Sequence, residues 1–256
     1  MTATEPTVRR GSLPAHTARR ILRDFLARGL EPGDALADEA TLVERYGVSR
    51  GTLREALRLL TFLGAIVVKA GPQGGARLVT PGPSVVGSAL GMVVQFRGAT
   101  LRTVFESRLA IEPEVAALAA AHRKDSDLEL LDESVASLRS ARRKRGPEFA
   151  AHSGRYHLRV AEASHNDVLA TIVPALAVMT TTVPWRFPQG SREELTGLIS
   201  TVVDAIRSGD GSTARAVTHV MIKSVVDGLQ RDQPASLERR ILWPDVDEVL
   251  SGDRDV

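Results

Sequence analysis

Three arginines, Arg50, Arg54 and Arg58, recur at four-residue spacing in the first third of the chain. On an α-helix this spacing places the three side chains on one face. A guanidinium group can donate two hydrogen bonds to O6 and N7 of guanine in the DNA major groove, and the hydroxyls of Ser49 and Thr52 can donate to phosphates. The pattern predicts a DNA-reading helix, although an arginine row is also typical of a helix face that only meets solvent.

The residues around this row predict a helix–turn–helix. A short helix over Glu39–Tyr46 leads to Gly47, where a tight turn favours positive φ, and Ser49 is a good N-cap for the next helix. That second helix, Ser49–Leu63, is then the recognition helix, whose first turn reads base edges. Gly51 lies in this turn and leaves room for the backbone to approach the duplex.

A small hairpin follows the recognition helix. Its strands are predicted at Ile66–Val68 and Arg77–Val79, with Lys69 and Gly71 in the glycine-rich turn between them. A hairpin at this place predicts a wing that reaches the adjacent minor groove or its phosphates, and an amphipathic helix over His16–Arg28 precedes the whole arrangement. The predicted DNA-contacting residues are Ser49, Arg50, Gly51, Thr52, Arg54, Arg58, Lys69 and Gly71.

Composition supports a nucleic-acid module at the N-terminal end. Residues 1–80 carry 12 Lys and Arg against 8 Asp and Glu, whereas the remaining 176 residues carry 21 against 23. The chain has no cysteine, which excludes disulfide scaffolds and thiolate metal sites. Its longest apolar runs are too short to span a bilayer, so we expect a soluble, cytoplasmic protein with no membrane partner.

The segment 80–84 contains two prolines and a glycine and predicts a domain boundary. Beyond it, apolar residues at three- and four-residue spacing predict an all-helical bundle, with a kink or restart at Pro113. We therefore predict a mainly α protein with a winged helix-turn-helix domain at 1–80, a helical domain at 84–230 and a tail at 231–256. The predicted helices of the bundle lie near 84–96, 99–122, 125–144, 147–164, 166–183, 191–208 and 211–230.

The N-terminal motifs resemble those of the GntR family of bacterial transcription regulators. The similarity runs from Leu30–Leu36 through Gly47–Arg50 to Leu53–Arg58, and the glycines of the predicted wing extend it to about residues 13–79. In that family the residues matching Ser49, Arg50, Thr52, Arg54 and the wing tip meet operator DNA. The resemblance thus implies a homodimeric regulator of double-stranded operator DNA, with repression as the commoner mode.

The helical part resembles the FCD effector domain of the FadR-like branch of that family. The motifs that carry this resemblance are Phe105–Pro113 with Ala119 and Ala120, Arg155–Leu158 with Ala163–Asn166, and Asp204–Asp210 with Ala214. Many FCD domains hold a divalent metal through one Asp and three His, and this metal helps to bind a small carboxylate. The resemblance therefore implies a small-molecule effector site inside the bundle.

At the family's four ligand positions this chain has Ser153, His157, Ile199 and Met221. One imidazole with a hydroxyl, an aliphatic group and a thioether is a poor donor set for a divalent ion, so we predict that the metal site is absent and expect no cofactor. Arg108 matches a position from which some relatives address the ligand's carboxylate. The predicted effector-binding residues are Arg108, Ser153, His157, Ile199 and Met221.

Ile199 and Met221 would make such a pocket more apolar, which favours a larger or more apolar acid than a small hydroxy acid. Two plainer interpretations stay open: Arg108 forms an ordinary ion pair with Glu112 at i,i+4, and His157 is a core residue with satisfied hydrogen bonds. The alternative function is a regulator whose effector pocket has decayed and whose DNA binding ignores small molecules. No nucleophilic triad or carboxylate pair supports an enzyme, so none is predicted.

Overall fold

The computed structural model describes residues 12–69, 75–144, 148–187 and 190–243. Contacts divide the chain into two compact units, Met1–Pro81 and Gly82–Val256. The described part of the first unit holds three helices and two paired strands, and the described part of the second is helical. The predicted mainly α fold, a winged helix-turn-helix followed by a helical bundle, is confirmed.

The first unit is built on a small apolar core. Helix α1 (Leu13–Ala27) and α2 (Glu39–Tyr46) both pack on α3 (Arg50–Phe62), burying Ile21, Phe25 and Leu53. The antiparallel strands β1 (Ile66–Lys69) and β2 (Gly75–Leu78) follow, and Ile66 and Leu78 face each other in register inside this core. Burial of one face of each element therefore fixes which face of α3 remains exposed.

The second unit is a helical bundle. Its described helices are α4 (Pro83–Phe96), α5 (Leu101–His122), α6 (Asp125–Ala141), α7 (Glu148–Ala163), α8 (Asp167–Thr181), α9 (Ser191–Ser208), α10 (Gly211–Asp232) and α11 (Pro234–Leu237). The central helix is α5, which packs against α7, α8, α9 and α10, while α4 packs on α8 and α6 packs on both α7 and α9. No helix in the described ranges has the length and apolarity needed to cross a bilayer.

A kink or a restart is predicted at Pro113; the restart is wrong, because α5 continues through this residue, and the kink stays a prediction. Proline removes one hydrogen-bond donor from the helix, but α5 has 22 residues, and Thr100 caps its start. Pro113 and the alanines Ala116, Ala119 and Ala120 are buried. Packing of the buried face against the neighbouring helices outweighs the local preference for a break.

The described part of the C-terminal segment packs on the bundle. The N–H of Leu101 donates to the carbonyl of Arg239 at 3.0 Å, and the N–H of Ile241 donates to the carbonyl of Ala99 at 2.9 Å. Leu237 and Ile241 are fully buried. Residues up to 243 are thus part of the second unit, and the rest of the segment lies outside the described residues.

Candidate nucleic-acid interface and bundle cavity

The start of α3 is fixed by side-chain and backbone features that are local in sequence. Gly47 adopts φ 62° and ψ 40°, the left-handed conformation predicted for it, and ends α2. Ser49 is the N-cap, as predicted, and its Oγ accepts a hydrogen bond from the N–H of Thr52 at 3.1 Å. The hydroxyls of Ser49 and Thr52 lie 2.9 Å apart. The first turn of α3 therefore begins at Arg50 with its polar groups at the surface.

The three arginines of the predicted row are all exposed, but they differ in their partners. Arg54 Nε lies 3.0 Å from Oε1 of Glu39 on α2, and Arg58 Nη1 lies 2.6 Å from Oε1 of Glu55. Within the described residues Arg50 has no partner. Exposed ion pairs of this kind contribute about 0–1 kcal/mol, so Arg54 and Arg58 can exchange their carboxylates for another acceptor at little cost. Sequence reasoning did not anticipate the pair with Glu39.

Gly51 has no structural need to be glycine. A Cβ built on Gly51 would lie 3.9 Å from Ser49 Oγ and meet no other described atom within 4 Å, and its φ is not in the positive region. The helix itself would thus accept alanine. The missing side chain matters only to a molecule that approaches the first turn of α3 from outside.

The two strands of the wing lie within the described residues. Val67 pairs with Arg77 and Lys69 pairs with Gly75, so β1 ends one residue later and β2 begins two residues earlier than predicted. On the other side of β2, Ala35 forms a β-bridge with Arg77, whose Nη1 donates to the carbonyl of Gly33 at 2.9 Å. The hairpin is therefore held to the segment before α2. The predicted wing-tip residue Gly71 lies outside the described residues.

In the bundle, Arg108, Glu112 and His157 form a buried network. Arg108 Nε donates to Oε1 of Glu112 at 2.5 Å, and His157 Nδ1 lies 2.7 Å from Oε2 of the same carboxylate. Because a carboxylate only accepts, His157 donates from Nδ1. The guanidinium group of Arg108 also lies 5.6 Å from the ring centroid of Phe105. The Arg108–Glu112 pair is thus buried, unlike an ordinary surface pair, and Glu112 joins the two predicted effector residues Arg108 and His157.

A cavity of about 10 Å³ adjoins this network. The hydroxyls of Tyr156 and Thr218, which help to line it, are buried and have no hydrogen-bond partner among the described residues. Such a volume holds about one water molecule. The lining residues are Glu112, Val115, Tyr156, His157, Val160, Val173 and Thr218.

The electrostatics of the network favour the charged form of Glu112. Burial by itself raises the pKa of this carboxyl, but Arg108 and His157 lower it well below its usual range. Burial and, to a smaller extent, the Glu112 charge raise the pKa of Tyr156. The site therefore carries an ionised carboxylate whose charge is balanced by Arg108, beside a neutral phenol.

The other predicted effector residues lie elsewhere in the bundle. Ile199 on α9 and Met221 on α10 belong to the hydrophobic core, and Ser153 is half-buried on α7. None of them is among the residues that line the cavity next to His157. Tyr156 and Thr218 were not anticipated, because an unpartnered hydroxyl has no signature in sequence.

The residues at the family's ligand positions do not fit a divalent metal. His157 already directs Nδ1 to Glu112, and Ile199 offers no donor atom. His219 is exposed on α10, and His152 lines a different cavity, so neither replaces a missing ligand. Within the described ranges no group of three His, Cys, Asp or Glu side chains is arranged to hold a metal ion.

Comparison with known proteins matches both units. Residues 13–76 match the model "Bacterial regulatory proteins, gntR family", and residues 103–224 match the FCD domain model. The HTH-type transcriptional regulator Mce2R of Mycobacterium tuberculosis is 30% identical over 86% of this chain and 92% of its own length. The chain belongs to the GntR family. LutR of Bacillus subtilis, also named an HTH-type transcriptional regulator, is 28% identical over 78% of this chain and 93% of its own.

Comparison of folds also matches this chain to a GntR protein. The solved structure titled Streptococcus agalactiae GntR is similar to this chain, with a TM-score of 0.65 and 25% identity over 83% of this chain and 98% of its own. This GntR-family chain is therefore a DNA-binding transcriptional regulator, with an effector-binding FCD domain as its second unit. The family assignment identifies a transcriptional regulator.

Proposed function

We propose that the chain is a homodimeric repressor, which binds a near-palindromic operator through α3 and the wing of each copy. The observation that carries the proposal is the exposed, capped N-terminus of α3, where Arg50 has no partner within the described residues. One recognition helix covers only a few base pairs, so two copies are needed for useful affinity. We also propose that it acts in the cytoplasm, where it would meet operator DNA.

The proposed contacts divide into two kinds. Arg50 and Arg54 read guanine, each as a bidentate donor to O6 and N7, and Arg54 releases Glu39 to do so. The N-terminus of α3, with Ser49 and Thr52, meets phosphate, which the partial positive charge at this helix end favours. The proposed set is completed by Arg58 from the helix and by Lys69 and Gly71 from the wing. These residues contact the sugar–phosphate backbone of the DNA.

The test is a selection of bound duplexes from a random library by the full chain, followed by affinity measurements on the enriched sequence. Arg50→Ala should lower the affinity for this duplex about 5- to 150-fold for each half-site and relax the preference at one base pair in each of them. Arg231→Ala, which removes an exposed arginine from α10, is the matched control and should change little. Equal losses in both variants, or no selection at all, would contradict the proposal.

We further propose that the effector binds at the Arg108–Glu112–His157 network. The adjoining cavity is too small for an organic molecule, so the effector must open it, and a carboxylate effector must displace Glu112 from Arg108. A shift in the position of α5 or α7 would then change DNA affinity. In this proposal an opened pocket would also expose Ser153, Ile199 and Met221, which do not line the closed cavity.

A panel of small acids and acyl compounds tests this second step. Binding should raise the melting temperature of the wild-type chain, and Arg108→Met should abolish the rise for acids. If no compound changes either the melting temperature or DNA affinity, the pocket has decayed and the regulator works without a ligand.

An apolar patch on the second unit favours self-association. Trp243 lies along α4, because its N–H donates to Oε1 of Gln95 and its Nε1 donates to Oγ of Ser88, both at 2.7 Å. Met92 and Phe96 project from the same side of α4, and Phe96 is 91% exposed. Clustered exposed apolar side chains mark interaction surfaces, so we propose this patch as part of the dimer contact.

A further inference from the structure

A second cavity, of about 190 Å³, lies between α6 and α7 and is separate from the network at His157. Ser134 and Ser137 line it from α6, and His152, Arg155 and Arg159 line it from α7. The spacing of the α7 residues, three and seven positions apart, places them on one helix face. Its lining residues are Leu130, Glu133, Ser134, Ser137, His152, Arg155 and Arg159.

The cavity lining contains one buried polar atom without a partner and several groups that can donate hydrogen bonds. His152 Nδ1 is buried and has no partner in the described part of the chain. Arg155 is exposed and Ser137 is half-buried, and neither has a partner among the described residues, whereas Arg159 reaches Glu162 at 2.8 Å. Buried polar atoms are normally paired, so the unpaired imidazole nitrogen of His152 indicates an absent partner, which is an acceptor when this nitrogen carries the proton. The exposed guanidinium group of Arg155 can bind the same acceptor.

The charges of the lining favour an anion. Arg155 and Arg159 contribute two positive charges, and Glu133 contributes one negative charge. An acceptor with several oxygen atoms can take hydrogen bonds from a guanidinium, an imidazole and a hydroxyl at once. Neutral or cationic ligands would leave the excess positive charge unbalanced.

We propose that this cavity is a binding site for a small oxyanion, either a phosphate group or a compact di- or tricarboxylate. Its volume of about 190 Å³ is far larger than the about 10 Å³ of the cavity next to His157, which holds about one water molecule. This suffices for such an anion with a few waters but is below the about 300–1,000 Å³ of pockets for drug-sized ligands. Neither its residues nor its ligand depends on the proposed effector site at Arg108, so each proposal can fail while the other stands.

The experiment follows the imidazole signals of the full chain, labelled with ¹⁵N-histidine, during titrations with inorganic phosphate and with succinate at constant pH and ionic strength. The chain has six histidines, and the His152 signal is the one that His152→Gln removes. Arg155→Gln tests the guanidinium, and Arg231→Gln, at an exposed arginine of α10, is the matched control.

We expect a saturable shift of the His152 signal with at least one of the two anions. Arg155→Gln should raise the midpoint about tenfold or more, since a charge-assisted hydrogen bond is lost, and Arg231→Gln should leave it unchanged. Ser137→Ala should raise it by a smaller factor. The proposal is overturned if neither anion gives a saturable shift, or if Arg155→Gln and Arg231→Gln have the same midpoint. A response to phosphate alone or to succinate alone identifies which kind of oxyanion the site takes.

Discussion

The substitution Gly51→Ala separates the stability of the DNA-reading unit from its binding of DNA. In the free chain the added Cβ would lie 3.9 Å from Ser49 Oγ, an ordinary contact, and φ is not positive. Replacing glycine by alanine at an unstrained position restricts the unfolded chain and stabilises a protein by about 0.4–1 kcal/mol. We therefore expect the unit to melt a few degrees higher than the wild type.

The same methyl group should weaken the binding of DNA. If the first turn of α3 approaches the duplex, its N–H groups bind phosphate, and a Cβ at Gly51 keeps that phosphate at a distance. Loss of one charge-assisted hydrogen bond costs about 1.5–3 kcal/mol, which weakens binding about tenfold or more. Stability and affinity should thus change in opposite directions.

Gly197 on α9 is a matched control, because a Cβ there also meets no described atom within 4 Å. Gly197→Ala should raise the melting temperature without changing DNA affinity. The assay combines thermal unfolding with fluorescence anisotropy on the selected duplex. If Gly51→Ala is stabilised and binds this duplex as tightly as the wild type, the first turn of α3 does not approach DNA, and the proposed interface is wrong.

Other substitutions test the bundle and the core of the first unit. Glu112→Gln leaves buried Arg108 without its carboxylate and should lower the free energy of unfolding by about 3–5 kcal/mol, whereas the double variant Arg108→Met, Glu112→Leu should regain most of the loss in chemical denaturation. The pKa of Glu112 is lower in the folded state than in the unfolded state. The ionised carboxylate therefore stabilises the fold above the ordinary glutamate pKa, and this stabilisation disappears as the pH falls through the pKa of the folded state. Wild-type stability should thus decrease more steeply in acid than the stability of the double variant. Tyr46→Phe removes a 2.8 Å hydrogen bond to Asp24 and should cost about 0.5–1.5 kcal/mol at neutral pH. Burial and Asp24 raise the pKa of Tyr46 to about 12, so wild-type stability should fall above pH 10 by a term that the phenylalanine variant lacks. Phe96→Ser should weaken self-association in sedimentation equilibrium, and an unchanged dissociation constant would exclude the apolar patch from the dimer contact.

The features that could be predicted from sequence are those determined by neighbours along the chain. Ser49 caps α3 and Gly47 adopts positive φ, because each conformation depends on the residue's own chemistry and on a bond three or four residues away. Helix positions in the bundle follow for a similar reason, since the spacing of apolar residues determines which face is buried. At Pro113, by contrast, the local rule fails because tertiary packing stabilises one continuous helix.

Contacts between distant elements could not be predicted in this way. Glu39 meets Arg54 across 15 positions, and the spacing of the arginine row contains no information about this partner. Likewise, the i,i+4 spacing of Arg108 and Glu112 predicts that they pair but not that they are buried. The position of His157 beside this pair depends on how α7 packs on α5, which no local pattern determines.

The charge balance of the bundle network constrains what an effector can be. Arg108 and Glu112 neutralise each other, and His157 donates to the same carboxylate. The positive charge of buried Arg108 is therefore already balanced without a further anion. A carboxylate ligand that entered beside an undisturbed Glu112 would bring an unpaired charge into a buried site, which is costly. An acid must therefore displace Glu112, and its binding free energy is reduced by the strength of the bonds it replaces. A neutral ligand that pairs with the free hydroxyls of Tyr156 and Thr218 avoids this cost, and the comparison of acids with neutral acyl compounds is for this reason the informative one.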